Sequence, residues 1–153
     1  MRAGAPLFVD SNMIRAGLSM ARLREINPGY GPERIHCHVA DADVAGEAAK
    51  ARLPRSLFAM RKARPMLAGG IAAFGNAPVA LLELNRMMLE DGVRPALVIG
   101  MPVGFVHVEE SKQELISIEA PSIVVAGRRG GSTLAVSVIH ALCTVAGRGG
   151  GGA

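Results

Sequence analysis

Five short apolar runs punctuate the chain: Pro6–Val9, Arg34–Val39, Gly70–Phe74, Ala96–Gly100 and Ser122–Ala126. Each is β-prone, and where a run is continuously hydrophobic it predicts a strand buried on both faces. Between them lie Ser11–Leu18, Val44–Ala51, Arg55–Met66, Asn76–Glu90, Glu109–Ile118 and Ser132–Ala146, each with helical composition or periodicity. Such alternation predicts a parallel sheet with right-handed crossovers.

The helix at Asn76 carries the fullest set of signals. Asn76 is placed to cap it, Pro78 stands in its first turn, Val79, Leu82 and Met87 are apolar along it, and Gly92 follows its end. Pro54 should separate the helices on either side and open the second, which leaves Arg55 and Ser56 at an N-terminus, the end of a helix that attracts anions. The expected architecture is one α/β domain over residues 1–146: a three-layer, flavodoxin-like, doubly wound parallel sheet of about five strands, with its ligand at the carboxyl ends of the strands. Residues 147–153, five of the seven glycine, are expected to form a flexible tail.

Composition narrows the class. Half of the 153 residues are hydrophobic but only 3% are aromatic, so Ala, Val, Leu, Ile and Met must fill the core. Cys37 and Cys143 sit in apolar runs at no metal-ligand spacing and read as buried, reduced thiols of a cytoplasmic protein. No apolar run approaches the ~20 residues of a membrane span, and no signal-peptide order is visible. The net charge of +4 admits nucleic acid in principle, but the basic residues are scattered and no aromatic stacking platform accompanies them. An acidic small molecule suits the charge equally well.

The loops that follow the strands carry the candidate chemistry. Asp10, Gly75-Asn76-Ala77-Pro78, Met101-Pro102-Val103-Gly104-Phe105-Val106 and Gly127-Arg128-Arg129-Gly130-Gly131-Ser132-Thr133 would cluster on one edge of a parallel sheet. Glycines let a ligand reach the backbone, and helix-terminal N–H groups bind carboxylates or phosphates; glycines after strands are also ordinary turn residues. His36 and His38 alternate and face one side of a strand, either as two metal ligands without an evident third or in a structural role. His140 reads as packing, whereas His107 follows the Met-Pro loop, where catalysis is expected. No nucleophile elbow, dinucleotide fingerprint or zinc-ligand spacing is present. On spacing alone the chain is an anion-binding α/β domain.

Ala3-Gly4-Ala5-Pro6-Leu7-Phe8-Val9-Asp10, the Gly75–Leu81 segment, Met101–Val106, Glu110-Ser111-Lys112 and Gly127–Ser132 occur in an order and spacing that resemble the precorrin-8X methylmutase family over residues 3–146. The resemblance implies a homodimeric isomerase of cobalamin biosynthesis. Its reaction moves a methyl group of precorrin-8X from C11 to C12 of the ring, giving hydrogenobyrinic acid, or acts on the cobalt-containing equivalent. It implies no cofactor and no resident metal, because the rearrangement is intramolecular and needs only protonation and shaping of the macrocycle. Arg55-Ser56 resembles the family's Arg-Ser pair at a helix start. With Asn76, Met101, Pro102, Gly104, Phe105 and Lys112, that pair makes up the expected substrate-binding set.

The chain departs from the family pattern upstream, where relatives carry a helical region with the histidine that acts as general acid. Three explanations are open: a truncated or late-starting chain, a relative that binds corrinoids without chemistry, or a substitute acid, for which His107 is the candidate.

Overall fold

The computed structural model describes residues 1–148. Its five strands are β1 (Leu7–Val9), β2 (Ile35–His36), β3 (Ile71–Phe74), β4 (Leu97–Gly100) and β5 (Ser122–Val124). They form one all-parallel sheet of order β2-β1-β3-β4-β5, the doubly wound order expected. The winding reverses between β1 and β3, so a crevice opens there at the carboxyl ends of the strands.

The helices are α1 (Asn12–Gly17), α2 (Met20–Ile26), α3 (Ala42–Ala51), α4 (Arg55–Leu67), α5 (Pro78–Glu90), α6 (Val108–Ser117) and α7 (Ser132–Arg148). The strand pleat sorts side chains to two faces. Leu7, Val9, Ile35, Ile71, Ala73 and Ile99 join Ile14, Leu23, Ala135 and Ile139 under α1, α2 and α7. Phe8, Ala72, Phe74 and Val98 join Met60, Leu67, Leu84 and Leu115 under α4, α5 and α6. Both layers are aliphatic, as the composition requires, and Cys37 and Cys143 are buried free thiols.

Four expectations need correction. Helix α2, which the sequence reading left out, is capped by the Ser19 hydroxyl and buries only Leu23, too little to show a periodicity. Strand β2 is two residues long, because the chain turns at His38, where the Asp41 N–H donates to the His38 carbonyl on the way into α3. Asn76 is not a helix cap: α5 begins at Pro78 after Ala77. Gly147 and Arg148 continue α7, so the expected tail does not begin at 147, and its remaining residues, 149–153, lie outside the described residues. Pro54 opens α4 as expected. Among the described residues no helix is long and apolar enough to cross a membrane.

Candidate functional site

The pleat that places Phe8 on the α5 side also sends Asp10, two residues on, toward the start of α5. Its buried carboxylate accepts hydrogen bonds from the backbone N–H groups of Gly75 (3.0 Å), Asn76 (2.8 Å) and Ala77 (2.7 Å). Asp10, rather than Asn76, is the side-chain acceptor here: it takes the Ala77 amide at the head of α5 with two amides of the turn before it, and so joins β1 to the β3–α5 turn across the switch point. Burial pushes the Asp10 carboxyl pKa up, and the three amide bonds pull against that rise.

A cleft of about 460 Å³ opens above this junction, lined by Ser11, Met13, Asn76, Val103, Ser132 and Thr133 with glycine backbone between them. The Ser11 and Ser132 hydroxyls are 3.0 Å apart, which holds the end of β1 to the start of α7. Close backbone approach shapes the floor. A Cβ on Gly75 would sit 2.6 Å from Ser132 Cα, and one on Gly130 would strike the carbonyl oxygens of Met101 and Pro102. The Gly131 N–H donates to the Met101 carbonyl at 2.9 Å and closes the same loop pair. Ser132 and Thr133 open α7, so its free N-terminal amides lie at the cleft wall.

A second cavity, of about 520 Å³, adjoins the first through Val103 and is lined by Gly104, Phe105, Arg128, Arg129 and Gly130. Its rim is apolar and open: Phe105 is 90% exposed and Val103 is exposed beside it, as is Met13 in the first cavity. Two arginines stand beside this apolar ledge. The arrangement suits a broad, flat apolar body that carries acidic groups at its edge.

The expected binding residues divide sharply. Asn76, Gly104 and Phe105 line the cavities. Met101 and Pro102 are buried, and the Met101 side chain belongs to the core under α7 while its carbonyl orders the Gly131 loop. Lys112 is also buried. Its ammonium donates to the Gly127 (2.8 Å) and Arg129 (2.5 Å) carbonyls, so it braces the β5–α7 loop from beneath, and burial lowers its pKa. Arg55, exposed, and Ser56, half-buried, begin α4 and line neither cavity.

Lys62, halfway along α4, binds Asp41 and Asp43 at the start of α3, so the head of α4 projects from the strand carboxyl ends as one arm of an α3–α4 hairpin. His107 precedes α6 in a left-handed conformation (φ 58), exposed and outside both cavities. Ser11 and Met13 line the cavities without having been singled out, and Val103, Arg128, Arg129 and Ser132 do so from the post-strand loops expected to carry the chemistry. Their only signal in the sequence is position after a strand.

His36 and His38 do share one side, with ring centroids 6.1 Å apart. Among the described residues no group of three or more His, Cys, Asp or Glu side chains is placed to hold a metal ion.

A family model described as precorrin-8X methylmutase matches residues 1–145. The chain is 41% identical to a cobalt-precorrin-8 methylmutase of Priestia megaterium, over 95% of this chain and 63% of that protein. It is 38% identical to a precorrin-8X methylmutase of Pseudomonas aeruginosa, over 94% of this chain and 67% of that one. The crystal structure of a precorrin-8X methyl mutase from Thermus thermophilus superposes with a TM-score of 0.82 at 40% identity, covering 97% of this chain and 70% of the other. The chain thus spans a little under two thirds of the Priestia megaterium relative. Matched along nearly its whole length by that family's model, with relatives above 30% identity and a solved fold in register, the chain belongs to the precorrin-8X methylmutase family.

Proposed function

We propose that this chain is an isomerase that binds precorrin-8X, or its cobalt-containing form, and moves a methyl group between adjacent ring carbons in cobalamin biosynthesis. The observation that carries the reading is a cavity at the β1/β3 switch point adjoining a second beyond the ends of β4 and β5, where an apolar ledge stands beside two arginines, in a chain of this family. A corrin macrocycle is flat and apolar across its face and bears carboxylate arms at its edge. Phe105, Val103 and Met13 would lie against the ring, and Arg128, Arg129 and the head of α7 would meet the arms.

Arg55 and Ser56 are proposed to reach the substrate from the projecting head of α4. Met101, Pro102 and Lys112 act from behind the cleft by fixing the loops that line it. The active form is proposed to be a cytoplasmic homodimer. Its domain is proposed to span residues 1–146.

The test is to incubate the purified chain with precorrin-8X and follow the absorption change that accompanies methyl migration. Conversion supports the proposal. Saturable binding with an unchanged spectrum would make the chain a corrinoid binder without isomerase activity, and no binding would refute both.

A further inference from the structure

Lys112 is one of three lysines in the chain, and it is buried. Helix α6 carries its ammonium under the β5–α7 loop, where it donates to the carbonyls of Gly127 at 2.8 Å and Arg129 at 2.5 Å. Both partners are neutral, and among the described residues no carboxylate lies within ion-pair distance of the ammonium. The acid whose charge reaches it is Glu109, one turn earlier on α6, but that carboxylate faces Arg128 at 3.5 Å. A buried charge without a counter-charge is costly, and burial accordingly lowers the Lys112 pKa while Glu109 opposes the fall.

The two carbonyls fix how their peptide groups face. In a planar trans peptide the C=O of one residue and the N–H of the next point in opposite directions. The Gly127 and Arg129 carbonyls point at Lys112, so the N–H groups of Arg128 and Gly130 point away from it. Neither of these N–H groups has an acceptor among the described residues. Gly127 is in the left-handed region (φ 73), which suits a turn that presents a row of amides. The loop also separates the ammonium from the second cavity: Arg128, Arg129 and Gly130 line that cavity and Lys112 does not. The side of the loop away from Lys112 thus combines two unengaged backbone donors with two exposed guanidiniums, with a positive charge behind them.

We propose that the N–H groups of Arg128 and Gly130, the two guanidiniums and the buried ammonium form one oxyanion site, with Lys112 as its positioning residue. The identity of the ligand rests on the function proposed above, on which the oxyanion is one carboxylate arm of the tetrapyrrole. Lys112 acts twice: it turns the two amides outward, and its charge adds to theirs across the loop. The arm supplies the counter-charge that the ammonium lacks, so ligand and proton bind cooperatively. The charged groups around the ammonium are Glu109 of α6 and Arg128 and Arg129 of the loop. While Lys112 is protonated in both the free and the bound chain, affinity does not depend on its titration. Above its pKa in the free chain, binding must take up a proton, and affinity falls as pH rises until the complex loses that proton too.

The experiment labels the lysines of the full chain with ¹³C and follows the Lys112 ε-carbon through a pH titration, free and saturated with precorrin-8X. Amide spectra report Arg128 and Gly130, and Kd is measured separately across the same pH range. The Lys112 midpoint should rise by about one pH unit in the complex, and Kd should weaken by the matching factor of about ten as pH climbs through that interval. Both amide protons should move downfield on binding. Lys112→Met, with its fold checked by circular dichroism, should weaken binding by about tenfold and lose the alkaline dependence; if it folds poorly, the wild-type titration decides by itself. An unchanged midpoint, or amides that do not move in a saturated complex, would overturn the site. If the chain does not bind precorrin-8X, the functional reading fails, and the same spectra with inorganic phosphate decide the site separately. A saturable shift at Lys112 and both amides then upholds it, and no shift overturns it.

Discussion

Replacing Asp10 by alanine tests whether the switch point is held by a side chain or by the strands alone. The substitution removes the acceptor of three backbone N–H groups, those of Gly75, Asn76 and Ala77, of which Gly75 and Ala77 are buried and cannot turn to water. A hydrogen bond to a charged group contributes about 1.5–3 kcal/mol net, and a buried donor left unpaired costs about 1–3 kcal/mol. The gross loss therefore exceeds 4 kcal/mol by this rough count, but part of it is returned because the variant no longer buries a carboxylate. The expected net loss is about 2–4 kcal/mol. In urea, with a slope of about 2 kcal/mol per M, the midpoint should fall by about 1–2 M with the slope unchanged. Amide exchange at 75–77 should accelerate more than at the centre of β4. A midpoint within about 0.3 M of wild type would refute the reasoning, because the β3–α5 turn would then keep its shape without the carboxylate.

Two further outcomes follow from other parts of the molecule. Glu83, buried on α5, resists ionisation by burial, but hydrogen bonds from Arg86 and Arg61 outweigh that and lower its pKa. Its stabilisation is thus full above the unfolded carboxyl pKa and lost as pH falls through the lower folded value. Glu83→Gln should destabilise by about 1 kcal/mol at neutral pH, small because both guanidiniums are half in solvent, and thermal melts should converge with wild type as pH falls below the ordinary carboxyl range. Equal differences at pH 7 and pH 3 would contradict this. Phe105→Ser should leave stability within about 0.5 kcal/mol, since the ring is 90% exposed, yet weaken precorrin-8X binding by about tenfold or more through lost apolar contact. Unchanged affinity would remove Phe105 from the site.

The layers were legible because each strand is a short apolar run and each crossover a long helical one, and the parallel order follows from that alternation. The terminal details were less so, since they depend on partners distant in sequence. Nothing near Asn76 reveals that Asp10, 66 residues away, takes its amide. Lys112 sits in a Glu-Ser-Lys motif that resembles the family's and reads as a ligand contact, yet its ammonium turns inward to two carbonyls. His38 reads as part of a strand because the run Arg34–Val39 is β-prone, and the turn that takes it out of β2 is fixed by Asp41 and Lys62, which pattern alone does not link. Motif position located the cavity loops, while side-chain direction required the packed fold.

The Asp10 cap also changes how the cleft must handle negative charge. Helix N-termini at the strand ends are expected to attract anions, and α5 is the helix with the fullest set of signals in the sequence. The amides of the turn that leads into it, those of Gly75, Asn76 and Ala77, are however already occupied by the carboxylate of the protein's own Asp10, which sets a negative charge beside the positive end of that helix. A second carboxylate brought there would meet like charge at close range. The positive groups that remain at the cavities are the head of α7 at Ser132 and Thr133 and the two arginines of the β5–α7 loop. On the proposed function the acidic arms of the macrocycle therefore point toward α7 and that loop, and its apolar face lies against Val103 and Phe105. Lys112, which braces the loop at Gly127 and Arg129, then governs the presentation of the arginines without touching the ligand.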